Sequence, residues 1–378
     1  MLNITVALLV QHAALANSPL LSLTHSPLTR RINFDRLTIQ HFINPIFYTQ
    51  SQTFNLLLSQ STFSNAVSQV ARQDEIKMKE FSEHQNYHEV FSLVITGCRF
   101  SSISYDKGAG AAFCAISQLH TLHIANTQFA DCYCGGSEYI EGLTHQVSGG
   151  VLVFTGSKSE ISSCCVVKNN AIGNSKTFQV VSSEEGLNSI KYSLFVNNGD
   201  KTNLKGHSLF SLDHGRCEVI SSNITNNDVP GGYAGGAIGF ASYGRAGYTL
   251  LKNNTGKSVF GICALGTYRA SIKVNFCFVN QNTATKYGVI MRLTSTLKLD
   301  NVIFTQNVGQ YFYGTAPIKV ARSNFDCDKP AGLVEDEATM WNAAVKRTLK
   351  IKVPESCDLN YPINRANVTK RHRTEPGK

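Results

Sequence analysis

Long apolar runs are missing from this chain of 378 residues. No stretch of 18 consecutive apolar residues occurs, which excludes a helix spanning a bilayer. Charge is sparse at 16% of residues, and tryptophan occurs once. The motifs that announce chemistry are missing too. There is no H-E-x-x-H, no G-x-S-x-G and no G-x-x-x-x-G-K-S/T. No C-x-x-C pair has a second pair at zinc spacing, so a metal site is not expected. No catalytic, cofactor-binding or metal-ligating residue is nominated. With 42% of residues hydrophobic, the chain can still bury a sizeable core.

What the chain does have is a short stretch that keeps returning: an apolar residue followed closely by asparagine. Its clearest copy is Phe195-Val196-Asn197-Asn198. Taking the apolar residue as an anchor, copies fall at Phe63, Phe100, Phe129, Val167, Phe195, Ile224, Leu251, Phe278 and Phe304. The gaps are 37, 29, 38, 28, 29, 27, 27 and 26 residues. Asparagine follows as Asn65, Asn169-Asn170, Asn197-Asn198, Asn226-Asn227, Asn253-Asn254, Asn280 and Asn307, but not after Phe100 or Phe129. About five residues upstream sits a second apolar residue, as at Leu58, Ile95, Ile124, Ile190, Val219 and Leu299. Downstream comes an apolar run opened by glycine, as in Gly149-Gly150-Val151-Leu152-Val153-Phe154 and Gly235-Gly236-Ala237-Ile238-Gly239-Phe240.

Such a period means a solenoid, because each repeat buries its apolar face only against its neighbours. The runs are short and bounded by Asn and Gly, the mark of strands, and no repeat carries a helical stripe of ten residues. Stacked coils put like residues on like. Asparagine suits a tight corner, tolerates the left-handed region, and forms ladders when stacked.

The Gly235-Gly236-Ala237-Ile238 segment and the Phe195/Asn198 and Phe304/Asn307 pairs resemble the GGAI and FxxN repeats of chlamydial polymorphic outer membrane protein passenger domains. Similar repeats occur in surface proteins of flagellated protists. The resemblance covers about residues 51–325 and implies a right-handed parallel β-helix, surface exposure and adhesion rather than a catalytic set. Nothing after residue 325 reads like that family's membrane β-barrel, so a secreted or eukaryotic relative is expected.

Residues 1–16 pair a short apolar core with the A-x-A pattern Ala14-Leu15-Ala16, as a secretion leader does; the alternative is an ordinary first strand. Residues 17–50 are expected to cap the solenoid, with Leu37, Ile39 and Phe42 as an irregular first coil. Residues 51–328 form the β-helix, about nine to ten coils. The charged stretch Arg72–Glu80 and the segment from Cys132 through Glu138 and Glu141 read as surface insertions. Residues 329–352 carry a helical stripe of Val334, Ala338, Trp341, Val345 and Leu349, with acids at its start and bases at its end, and read as a short C-terminal capping helix. Residues 353–378 form a basic tail. The net charge is +9, and residues 346–378 hold nine Lys/Arg against three acids.

Core packing explains most of the 11 cysteines. In a secreted chain Cys327 with Cys357 is the expected disulfide. Glycosylation sequons start at Asn223, Asn253 and Asn367. Acids within the coils (Asp106, Asp131, Glu160, Asp213, Glu218, Asp228, Asp300) share no common phase, and Asp213-His214-Gly215-Arg216 reads as a corner turn. His120 and His123, three apart on a strand, face opposite sides. Basic residues and exposed aromatics do not interleave on one face, so no nucleic-acid partner is expected. The expected function is a non-enzymatic, extracellular or cell-surface adhesin-like module for a host-cell or glycan ligand, without a membrane span. The alternative is a carbohydrate-active β-helix enzyme, a polysaccharide lyase or hydrolase.

Overall fold

The computed structural model describes residues 3–6, 21–23, 31–49, 54–73, 91–106, 108–116, 120–136, 149–173, 175–183, 185–200, 202, 208–231, 236–240, 243–262, 271–292, 296–314, 318–326 and 351–357. All strand pairings among them are parallel, and the fold is a parallel β-helix. Three long sheets run its length, with 12, 13 and 11 strands. Each coil contributes a strand to each sheet in turn, and two coils add a second short strand, Tyr133–Cys134 and Asn170–Ala171, to the second sheet. Coil six, for example, supplies Leu187–Lys191 to the first sheet, Leu194–Val196 to the second and Ser211–Asp213 to the third. Ten coils are complete in this sense, from Arg31–Asp35 through Phe312–Tyr313. At about 4.8 Å per rung, the 12 strands of the first sheet span roughly 50 Å.

The solenoid begins earlier than the anchor pattern suggests. Residues 31–49, expected as a cap, already form a full coil with strands Arg31–Asp35, Thr38–Gln40 and Phe47–Thr49. Asn3–Val6, inside the stretch expected as a leader, is a strand paired with Arg31–Phe34. The stripe of the expected capping helix, residues 74–80 of the first insertion and 137–141 of the second lie outside the described residues. Residues 132–136, expected as part of a surface insertion, instead continue the coil: Tyr133 and Cys134 pair with Ser104 and Tyr105 on one side and Asn170 and Ala171 on the other, and Cys132 and Cys134 are buried. Arg72 and Gln73 belong to a third-sheet strand, Ala71–Gln73, rather than to a loop.

Strand register corrects two anchors. Phe195 stands over Val166, not Val167, and Leu251 stands over Val279, not Phe278. With these two in place, the upstream apolar residue precedes its anchor by five positions in every coil: Ile161 before Val166, Val274 before Val279, Leu299 before Phe304. The reason is steric. A one-residue change at this corner would turn the inward face of the second-sheet strand outward. Inside, like stacks on like: Phe63, Phe100 and Phe129 form a parallel stack with centroids 5.3 and 5.0 Å apart, and Phe304 stacks on Phe325 at 4.6 Å. The main core is one apolar cluster from Ile32 to Phe325, and Ala109, Cys114, Ile116, Val153 and Val181 form a smaller separate one.

The asparagine pairs divide their work. In Asn197-Asn198, Asn226-Asn227 and Asn253-Asn254 the first residue sits exposed in the left-handed region, with φ 55°, 56° and 53°; before Asn169 that place is taken by Lys168, with φ 54°. The residue that follows, three after the corrected anchor, is buried in every ladder coil but the last, where Asn307 is half-buried. Asn169, Asn198, Asn227, Asn254, Asn282 and Asn307 form one ladder, each Nδ2 donating to the next Oδ1 at 2.9–3.1 Å. Asn282, not Asn280, is the ladder member. In the earlier coils the slot holds Ala66, Ile103 and Cys132, and the Cys132 backbone N–H caps the ladder by donating to Asn169 Oδ1.

Glycine opens the third-sheet strands because the next coil's backbone passes where a side chain would be. A Cβ on Gly150 would meet the Lys176 carbonyl oxygen at 2.0 Å, and one on Gly236 would meet that of Thr255 at 2.5 Å.

Candidate functional site on the outer faces of the rod

The buried cysteines and Lys176 have structural roles. Three cysteines occupy one corner slot, two residues before the anchor, that Ser61, Thr127, Ser193, Ser222 and Thr249 fill in other coils. Thr127 Oγ1 donates to the carbonyl two residues back, and the Cys98, Cys164 and Cys277 thiols do the same. Burial pushes the Cys98 thiol up to about 11 and the Cys164 and Cys277 thiols up to about 12, so all three stay protonated and inert. Lys176 is buried with its ammonium donating to the Ala171 carbonyl, and burial lowers it to about 8.

His120 and His123 face opposite sides of strand His120–Ala125, as the spacing requires. His123 is exposed beside Glu160, whereas His120 is buried between the Phe54 and Phe91 rings with Nε2 at 2.9 Å from the Phe54 carbonyl oxygen. Burial holds its pKa down at about 4. An unfolded histidine takes its proton near 6.5, so from pH 6.5 down to 4 protons favour the unfolded chain. Stability is expected to fall by up to about 3 kcal/mol across that window. Melting the wild type and His120→Phe at pH 7 and pH 4.5 checks this. The loss on acidification should be smaller in the variant by most of that amount; an equal loss in both assigns it to other groups.

The carboxylates are more ordered than the anchor count suggested. Glu160 and Glu218 share one outward row of the first sheet, two coils apart with Ser189 between them. The one-residue error at Val167 hid this. Each is matched by a cation two residues away on its own strand: Lys158 Nζ lies 3.5 Å from Glu160, and Arg216 Nη2 lies 2.7 Å from Glu218. Asp213-His214-Gly215-Arg216 is a corner, with φ 58° at His214 and 59° at Gly215. No group of three His, Cys, Asp or Glu side chains comes together among the described residues.

Further along the same row the sign changes. Arg245, Lys273, Lys298 and Lys319 occupy four successive rungs, in direct register and on the outward face. Neighbouring rungs lie about 4.8 Å apart. Two unit charges at about that distance repel by about 1 kcal/mol in bulk water, less in physiological salt. The nearby acids are engaged elsewhere: Glu218 with Arg216, and Asp300 with Arg322 through two bonds of 2.8 and 2.6 Å. Beside this row, at the corner between the first and second sheets, Tyr248 and Phe276 stack at 4.9 Å with rings 4° from parallel. Tyr192, on the same corner, and Tyr243, on the first sheet, are exposed. Sequence inspection missed the row because its members are 28, 25 and 21 residues apart. The signal is their phase, six residues before each corrected anchor.

The C-terminal segment lies against the second sheet. Cys357 is bonded to Cys165, not to Cys327, with Cα atoms 5.5 Å apart. Cys327 lies outside the described residues. The expected pairing tied the tail to the last coil, whereas the bond joins it to a coil 192 residues back in the chain. Asn223 Nδ2 donates to the Pro354 carbonyl at 2.9 Å. Cys165, Leu194 and Asn223 stand in register on adjacent coils, so two rungs, about 10 Å, separate the two attachment points. The three residues from Pro354 to Cys357 span that only when nearly extended. The tail therefore crosses the strands as a strap, and Cys165, Leu194 and Asn223 are buried on a face that is otherwise outward. Of the sequons, Asn223 uses its Nδ2 to hold the strap, Asn253 is exposed with Nδ2 donating to Asn226 Oδ1 at 3.1 Å, and Asn367 lies outside the described residues.

No family model, curated protein or solved structure matches this chain. Among the described residues no helix is long and apolar enough to cross a membrane.

Proposed function

We propose that this β-helix is a non-enzymatic recognition module, of adhesin type, working outside the cell or on its surface. The observation that carries this is the contrast within one row of the first sheet. Its carboxylates are each ion-paired with a cation of their own strand, while its four stacked cations make no ion pair among the described residues; Arg245 stands one rung from Glu218, which Arg216 already engages. A flat, regular face of unmatched charge is suited to holding a ligand and not to turning one over. The Cys165–Cys357 bond supports an oxidising compartment.

The second reading, a carbohydrate-active enzyme, draws on Glu160 and Glu218 sharing a row. One experiment separates the two. Beads coated with the full chain are offered to candidate host cells, and the same protein is incubated with neutral and acidic polysaccharides while new reducing ends are counted. Retention of cells without new reducing ends is expected. Release of reducing ends that Glu160→Gln/Glu218→Gln abolishes would replace the binding reading with the enzymatic one.

A further inference from the structure

We infer that the row Arg245, Lys273, Lys298 and Lys319 is a binding site for a linear anionic polysaccharide, lying along the rod axis with its carboxylates or sulfates over successive rungs. This rests on the reading of the chain as a recognition module and names its ligand class.

Three observations converge. The cations are in direct register across three successive strand pairings, so their spacing is set by the backbone and repeats at about 4.8 Å. A small anion would engage one or two of them, whereas a polymer with a charge on each sugar engages the whole row, each contact raising the effective concentration of the next. The acids that would otherwise quench the row are held by Arg216 and Arg322. Finally, the flank offers what a sugar uses besides charge, the exposed Tyr243 ring two residues from Arg245 on the same strand, while the buried Asn275 amide accepts from Arg245 Nε at 3.3 Å and holds that side chain in place. A single-stranded nucleic acid would call for separate aromatic platforms, one per base. Here Tyr248 and Phe276 are stacked on each other.

The test titrates the full chain with heparin, polygalacturonate, neutral dextran and a single-stranded oligonucleotide at two salt concentrations. The variant is Lys273→Gln/Lys298→Gln/Lys319→Gln. A charge-matched control, Lys168→Gln/Lys191→Gln/Lys252→Gln, removes three cations from other parts of the surface, and melting confirms that both variants fold. Binding of heparin or polygalacturonate, or of both, is expected, weakened roughly tenfold in the row variant and less than about twofold in the control, with a shallower salt dependence. Which polymer binds more tightly assigns sulfate or carboxylate. Equal losses in the two variants, no binding of either acidic polymer, or tighter binding of the oligonucleotide each overturn the inference. Cell retention on coated beads keeps the two levels apart. Wild type that retains cells while the row variant retains them equally well sinks the site but leaves the recognition module standing. Wild type that retains none removes the reading beneath it.

Discussion

Asn227→Ala is expected to destabilise the rod by roughly 3–6 kcal/mol. Asn227 Oδ1 accepts from the Asn198 backbone N–H at 3.0 Å and from Asn198 Nδ2 at 2.9 Å. Its Nδ2 donates to the Phe195 carbonyl at 3.1 Å and to Asn254 Oδ1 at 2.9 Å. Alanine therefore strands groups on two neighbouring coils, all buried where water cannot replace the lost partner. The neighbouring residue gives the internal control. Asn226 is exposed and its requirement is conformational, a φ of 56°. Asn226→Ala should cost only about 1–2 kcal/mol, the ordinary penalty for a side chain in the left-handed region, and Asn226→Gly should recover most of it. Urea unfolding of the three variants measures this. Comparable losses for Asn226→Ala and Asn227→Ala would refute the division of labour within the pair. Solenoid stability is a sum of coil and interface terms, so the loss at Asn227 should separate the rod into two unequally stable parts.

Cys357→Ser is expected to lower stability by about 2–5 kcal/mol, because the bond closes a loop spanning 192 residues. The local consequence is more diagnostic. Without the bond, the strap keeps its hydrogen bond from Asn223 to the Pro354 carbonyl, and Cys165 and Leu194 lose their cover. Maleimide labelling under native conditions should then find one more reactive thiol than in the wild type, at Cys165. The corner thiols at Cys98, Cys164 and Cys277 should stay silent, since they are buried and their pKa values lie near 11 to 12. An unchanged label count with unchanged stability would mean that the strap is held by something other than this bond. Strap and glycan also exclude each other at Asn223, since Nδ2 is the atom that either would use.

Several features were legible in single residues. Phe-x-x-Asn, the apolar residue five positions upstream and the paired glycines each answer a local demand: an inward ring, a strand that must keep its face, and a backbone crossing too close for a Cβ. Those demands recur once per coil, so the parallel β-helix could be read from their repetition. His120 and His123 were separable by the two-residue alternation of a strand alone.

Other features depend on alignment between coils, which one-residue errors destroy. Reading Val167 for Val166 and Phe278 for Val279 exchanged inward for outward residues in two coils. That concealed the Glu160/Glu218 pairing, put Asn280 in place of Asn282, and broke up the basic row. Both false anchors are apolar residues beside another apolar residue, where hydrophobicity cannot say which one turns inward.

By itself, then, the amino-acid sequence determined that this chain coils into parallel strands, where its corners fall, and which residue types the core admits, because those properties are set within a few residues. Only the tertiary structure decided which asparagine joins the ladder, that four cations stand in line, and that Cys357 meets Cys165. Each of these is a contact between coils. Its partner is chosen by strand register and by the path of the strap, neither of which distance along the chain encodes.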